Sequence, residues 1–362
     1  MPPLHATDPA PSADSAGTPV LKVSALGFPW QTVDPFLFCA YHDDAYPQAN
    51  KQMGPAVSLA GRQLGQDFSR KDGWSMYHGH TVPGFPPHPH RGFETVTIVR
   101  KGLIDHSDSL GATARFGQGD VQWLTAGKGV VHSEMFPLLD ADNPNPLELF
   151  QIWLNLPARS KMSDPHFTMF WSQDIPRLGT VDAQGLSTDV TVVAGRLGEA
   201  GAPLAPPPDS WAAQDDADVA IWTLRMAPGA RWTLPAASGH DTRRTLYFFK
   251  GKSVSLGGQQ VNSGNAVEVG ADVDIELLNG DTTAEFLMLQ GRPIGEPVVQ
   301  YGPFVMNTQA EIAQTMADYQ RTQFGGWPFD SETPVHGRDP ARFAVHPGGK
   351  EERPTGDAAV RA

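Results

Sequence analysis

Short runs of β-branched and aromatic residues, each closed by glycine, recur along most of this chain. In the first half, residues 94–100 (ETVTIVR) end at Lys101-Gly102 and residues 103–109 (LIDHSDS) turn at Leu110-Gly111. Residues 116–120 make the next turn, and residues 121–124 form a short strand. In the second half, 245–250 ends at Gly251 and 253–256 at Gly257-Gly258, and 266–269, 272–278 and 285–289 follow. Runs of this length and composition, bounded by glycine, read as strands joined by tight turns. The halves also correspond: TVTIVRKG with TLYFFKG, and FGQGDVQWL with VNSGNAVEV. A degenerate repeat of strands and turns predicts an all-β chain of two barrels. The 362 residues are enough for two domains of ordinary size, and 37 glycines and 33 prolines suit many short elements.

The formal charge of −13, without a Lys/Arg stripe, argues against direct nucleic-acid binding. No apolar run is long enough to span a bilayer, so no membrane role is expected. No basic n-region followed by an apolar h-region opens the sequence, so no secretory signal is expected. Its one cysteine, Cys39, cannot form an intrachain disulfide and reads as a small buried apolar residue. Together these predict a cytoplasmic protein.

Two stretches carry chemistry. Residues 84–102 read GFPPHPHRGFETVTIVRKG, and residues 119–134 read GDVQWLTAGKGVVHSE. Each holds a pair of ligand-type side chains two residues apart: His88 and His90, then His132 and Glu134. In extended chain, residues i and i+2 share a face. Two such pairs on neighbouring strands would aim three imidazoles and a carboxylate into one hollow, a set that suits a divalent transition metal. Other candidates rank lower. His78 and His80 lead into TVPGFPP, a poor strand, and stand open between cavity wall and loop. His106 falls outside the paired spacing and reads as a non-ligand. His42-Asp43-Asp44 reads as a solvated turn, and His5 as irrelevant. In residues 147–156 (LELFQIWLNL), Phe150, Ile152, Leu154 and Leu156 share one face; Leu149, Gln151 and Trp153 share the other.

The ligand set does not repeat. Counting from the matching glycines lands on Ala237 and Gly239, then on Leu277 and Asn279, and His240 stands alone nearby. The expected division is a disordered tail over 1–19, a metal-binding barrel over 20–180, a metal-free barrel over 181–300, and a helix and tail over 301–362. A long surface loop is expected over 49–72 and a loop insertion over 202–216. The helix is expected over 309–321, with a Thr308/Glu311 capping box and Ile312, Met316 and Tyr319 on one face. From about Asp330 the chain is expected to hug the surface or lack order.

HPHRGFETV, GDVQWLTAGKGVVHSE and YGPFVMNT, in that order, resemble the pirin family of the cupin superfamily over roughly residues 30–325. The resemblance implies a bicupin, two β-barrels facing each other, with iron in the N-terminal one. Carried over, the ligands are His88, His90, His132 and Glu134. Fe(II) is the implied metal, with Mn, Co, Ni or Cu as substitutes. Generic cupins draw their carboxylate from the first motif, where Glu94 stands; the closer family points to Glu134 and leaves Glu94 behind the ligands. Family members are similar to quercetin 2,3-dioxygenases. That implies a flavonol and O2 as substrates, with ring opening, release of carbon monoxide, and Glu134 as ligand and base. Arg91 is then either an attractor of anionic substrate or an exposed structural residue, and Gln151 and Trp153 either line the cavity or pack the barrel. The same resemblance implies an alternative, an iron-dependent regulatory protein acting through a protein partner. A sugar-phosphate isomerase is disfavoured, because no cationic cluster lies near the ligands.

Overall fold

The computed structural model describes residues 19–239 and 241–355. The expectations for His5, for His240 and for nearly all of the N-terminal tail fall outside the described residues. Among the described residues the chain is all-β, with one α-helix, Gln309–Thr322, and a few 3-10 turns. No helix there is long and apolar enough to cross a membrane.

The first barrel is made of two six-stranded sheets. One runs His166–Phe170, Val121–Thr125, Phe93–Lys101, Asn145–Asn155, Phe36–Tyr46, Trp30–Gln31. The other runs Glu351–Glu352, Phe343–Val345, Thr113–Gly117, Leu103–Asp108, Val130–Met135, Gly84–His90. In the second barrel a seven-stranded sheet packs on a four-stranded one, Arg231–Leu234, Ile275–Asn279, Ser253–Leu256, Gln259–Asn262.

Alternation explains the layers. On Asn145–Asn155, Phe150, Ile152 and Leu154 enter an apolar layer between the barrels with Ile221, Tyr247 and Leu287. Leu149 turns the other way, into the first barrel's own core. Successive residues of a strand point to opposite faces, so one strand serves both layers.

The ends of the chain cross over. The opening strand Val20–Ala25 was expected in the first barrel, but it pairs with Asn265–Val269 at the edge of the second barrel's larger sheet. Only Val20 of this strand is buried, so it carries almost no apolar pattern to reveal its partner. Arg177–Val181 likewise joins that sheet at its far edge. At the other end, Phe343–Val345 pairs with Thr113–Gly117 and extends the first barrel. Arg115 anchors this tail. It is fully buried, forks onto both Asp105 oxygens at 2.7 and 2.6 Å, and donates to the carbonyls of Gly337 and Asp339.

The helix is capped as the sequence implies. Thr308 Oγ1 accepts from the Glu311 amide at 3.2 Å, and the Glu311 carboxylate accepts from the Asn307 amide at 3.1 Å. Ile312 and Thr315 are its buried residues, while Met316 is 36% exposed. The helix packs with Phe304, Met306 and Phe324 against Val131, on the outer side of the strand that carries His132.

Candidate metal centre

Three adjacent antiparallel strands build the centre: Gly84–His90, Val130–Met135 and Leu103–Asp108. The register sets His88 opposite His132, and Phe85 and His106 opposite Glu134. Gly84–His90 ends the sheet, and an edge strand is where Pro86, Pro87 and Pro89 can be tolerated without losing ladder bonds. A register shift between Phe85 and His88 absorbs the first two prolines. Gly84 has φ 134°, and a Cβ there would sit 2.5 Å from the Glu134 carbonyl oxygen, so only glycine lets the strands close at this point.

His88, His90 and His132 converge, each offering one ligand atom within 4.8 Å of the others. Their ring centroids are 4.5 to 4.9 Å apart. His88 Nδ1 donates to the Pro86 carbonyl at 2.8 Å, which leaves Nε2 as its free lone pair. The Pro303 carbonyl, from the YGPFVMNT motif, partly offsets the effect of burial on His90, whose Nδ1 has no hydrogen-bond partner. His132 is fully buried with neither nitrogen partnered. A buried polar group without a partner costs about 1–3 kcal/mol, and several in one place call for a ligand. A divalent metal is a ligand that would meet that demand. Burial holds all three imidazoles neutral, pushing His88 down to about 4 and the other two well below their ordinary value. Neutral imidazole is the form that binds metal.

Glu134 lies next to this cluster rather than within it. Its Oε2 is 3.9 Å from His132 Nε2 and accepts from Gln151 Nε2 at 2.6 Å, and Oε1 accepts from Thr97 Oγ1 at 3.4 Å. Burial raises its carboxyl above the usual range. Gln151 thus reaches the site directly, and Trp153 meets His90 edge-on at 5.2 Å. Glu134 also borders a narrow gap with essentially no room for a water molecule. Phe85, Ile104 and Phe136 wall it on one side, and Leu149, Gln151, Thr97 and His42 on the other.

The remaining candidates sort by geometry. Glu94 does not stand behind the ligands. It occupies the opposite face of its strand from Thr97, with Val96 and Ile98, and accepts from Thr125 and Ser210 hydroxyls at 2.6 and 2.5 Å. His106 is not one of the three; its Nε2 bonds Asp108 at 3.1 Å, and its ring lies 5.5 Å from His132. His78 and His80 are exposed, and His78 Nδ1 donates to the Gly65 carbonyl. Arg91 is neither exposed nor aimed at a substrate. It is buried, pairs with Asp318 of the helix at 2.9 Å and covers the Phe324 ring.

His42 and Asp44 form no solvated turn. Both are buried on the strand Phe36–Tyr46 and linked through Tyr77, with His42 Nδ1 and Asp44 Oδ2 each 2.7 Å from its hydroxyl. The sequence signal was the alternation His42, Asp44, Tyr46 on one face, but two adjacent aspartates outweighed it.

In the second barrel the matching register puts Trp232 opposite Leu277 and Leu234 opposite Ile275. The positions equivalent to His88 and His90 are therefore Trp232 and Leu234, not Ala237 and Gly239, because the connection from Leu234 to the next strand at Arg243 is longer than that from His90 to Phe93. Leu277 and Asn279 stand where His132 and Glu134 do, and the Asn279 amide is spent on the carbonyls of Met226, Ala227 and Thr282. Among the described residues the three-histidine cluster is the one group placed to hold a metal.

Comparison with known proteins agrees with this layout. The family model described as Pirin matches residues 22–154, and the one described as Pirin C-terminal cupin domain matches residues 221–325. A Pseudomonas aeruginosa protein named "Putative quercetin 2,3-dioxygenase" is 34% identical over 241 residues, 67% of this chain and 79% of that protein. Pirin-1 of Arabidopsis thaliana is 36% identical over 253 residues, covering 67% and 78%. A crystal structure of quercetin 2,3-dioxygenase from Acinetobacter baumannii superposes with a TM-score of 0.67 at 26% identity, over 86% of this chain and 99% of that one.

Proposed function

Because this chain belongs to the pirin family, we propose that it is a metal-dependent dioxygenase that opens the central ring of a flavonol with O2. The observation that carries the reading is the buried three-histidine cluster, with His132 unsatisfied at both nitrogens, and the carboxylate of Glu134 beside it. His88, His90 and His132 would hold the metal, with Glu134 as fourth ligand. Fe(II) is our first choice, and Mn, Co, Ni or Cu also suit an imidazole-carboxylate set. When bound, the metal supplies Lewis acidity to the substrate oxygen and redox contact with O2.

The chain's own residues do the rest. Glu134 takes the proton of the flavonol 3-hydroxyl, a transfer helped by burial, which raises the basicity of its carboxylate. Gln151 and Thr97 fix the carboxylate by donating one hydrogen bond to each oxygen. Phe85, Phe136 and Leu149 exclude water from the ring that opens. The ring takes up both oxygen atoms and loses one carbon as carbon monoxide, and the proton stored on Glu134 returns to the product. A cytoplasmic setting fits the buried, unpaired Cys39.

One observation favours the runner-up, a metal-binding regulatory protein that acts through a protein partner without turnover. The gap beside Glu134 has essentially no room even for a water molecule, against the roughly 300 Å³ at which small-molecule sites begin. A flavonol therefore enters only if half-buried Phe85 swings outward. The test is anaerobic loading with Fe, Mn, Co, Ni or Cu, then quercetin and O2. Loss of the flavonol absorbance with matching carbon monoxide is expected. No turnover with any of the five metals would give the field to the regulatory reading.

A further inference from the structure

We propose that Asp44, Tyr77 and His42 form a hydrogen-bonded chain that presents an imidazole acceptor to a second hydroxyl of the substrate, and so selects polyhydroxylated rings. The inference rests on the flavonol reading of the cavity.

His42 lies on an inward position of the strand Phe36–Tyr46, directly across from Leu149, and both line the cavity. It comes from the sheet opposite the one that carries Glu134, so the two face the cavity from different walls. The hydrogen bonds fix the imidazole tautomer. Asp44 Oδ1 accepts from the Ser75 amide at 3.0 Å, and Oδ2 accepts from the Tyr77 hydroxyl at 2.7 Å. The single phenolic proton is thereby spent on Asp44. In the 2.7 Å contact with His42 Nδ1, the phenol oxygen must accept and Nδ1 must carry the hydrogen. His42 Nε2 is then a lone pair, and no group among the described residues hydrogen-bonds it.

Tyr77 is held for this task against its own preference. Its φ is 56°, in the left-handed region that a tyrosine seldom adopts, and both its backbone groups are pinned to Asp67 at 2.9 and 2.8 Å. Strain maintained by surrounding bonds gathers where a side chain must be aimed. Burial supports the same roles. It pushes His42 down to about 4, keeping the ring neutral, and Asp44 up to only about 6, leaving it ionised at neutral pH. A bland alternative is that the three residues merely fasten the loop bearing Tyr77 to the barrel. A fastening would not discriminate between substrates, whereas an acceptor that a bound ligand encloses rejects one that leaves it unpaired.

The experiment compares quercetin with 3-hydroxyflavone, which keeps only the hydroxyl assigned to Glu134. Binding to metal-free full-length protein is read by fluorescence quenching, and kcat/KM on metal-loaded protein. Wild type should favour quercetin by about tenfold or more in both. His42→Phe and Tyr77→Phe should bring the ratio towards one with bound metal unchanged, and His42→Gln should restore part of it. If His42→Phe does not fold, Tyr77→Phe, which removes one oxygen, carries the test. An unchanged ratio in variants that still bind quercetin overturns the inference and leaves the dioxygenase reading intact. Discrimination in binding that the variants abolish, without turnover of either compound, sustains the acceptor and sinks the dioxygenase. A wild type that binds neither compound sinks both.

Discussion

The two barrels share a strand register and differ in what fills it. Where the first places His88, His90, His132 and Glu134, the second places Trp232, Leu234, Leu277 and Asn279. Val254 and Leu256 complete the contrast, standing where His106 and Asp108 do. The apolar set closes a core in which Leu234, Leu256 and Leu277 have no exposed surface. The polar set leaves His132 with both nitrogens unsatisfied in an equally dry place. The fold therefore does not require a metal. The first barrel gives up stability to keep its buried histidine cluster, and the second shows what the same strands look like without it.

The sharpest way to break this comparison is to force the ligands into the second barrel. Trp232→His with Leu277→His removes two large buried side chains and buries two imidazoles. A loss of about 5 kcal/mol or more is expected, enough to unfold a marginally stable domain. Normal melting of that variant would show that packing is not what bars ligands there.

The next effect separates Glu94 from Glu134, two of the buried carboxylates of the first barrel. Glu94 is raised to about 7 by burial, offset in part by hydrogen bonds from Ser210 and Thr125. Its folded value lies above its unfolded value of 4.5, so the native state binds the extra proton between those limits. Stability must then fall as pH rises from about 4.5 through 7, by about 3 kcal/mol in all. Glu94→Gln should erase this slope in urea titrations of metal-free protein at pH 5 and pH 8. Bound metal should survive Glu94→Ala and drop in Glu134→Ala. The reverse pattern would move the carboxylate ligand to the other face of the sheet.

The opposite exchange is milder. His132→Leu makes the first barrel resemble the second, and should stabilise metal-free protein by about 1–3 kcal/mol while abolishing metal uptake. A melt with and without chelator reads both, since only wild type should respond to chelation. Smallest is the helix that backs the His132 strand. Thr308→Ala removes the cap at a cost of about 1 kcal/mol, with the second barrel's share of the unfolding transition unmoved.

The sequence made the site more legible than its surroundings. The His88/His90 and His132/Glu134 pairs were readable because period-two spacing is local, and so were the two faces of the strand around Gln151 and Trp153. What failed were partnerships over long separations. Arg91 finds Asp318, and Asp44 finds Tyr77, through contacts that no local pattern encodes. Glu94 was misplaced for a different reason. It was expected behind the ligands, but its parity with Val96 and Ile98 puts it on the opposite face of the strand. The edge strand Val20–Ala25 could not have been placed at all, because five of its six residues are exposed and any sheet edge would accept them.

That strand has a consequence for how the molecule is made. Residues 20–25 leave the ribosome early, yet their partners at 265–269 are synthesised some 240 residues later. At ordinary elongation rates the unpaired strand waits about ten to fifty seconds. The first barrel's strand at 113–117 waits nearly as long, some 230 residues, for residues 343–345. Neither barrel can be finished in the order in which it is translated, and a chain cut between them would deprive each of an edge that the other half supplies.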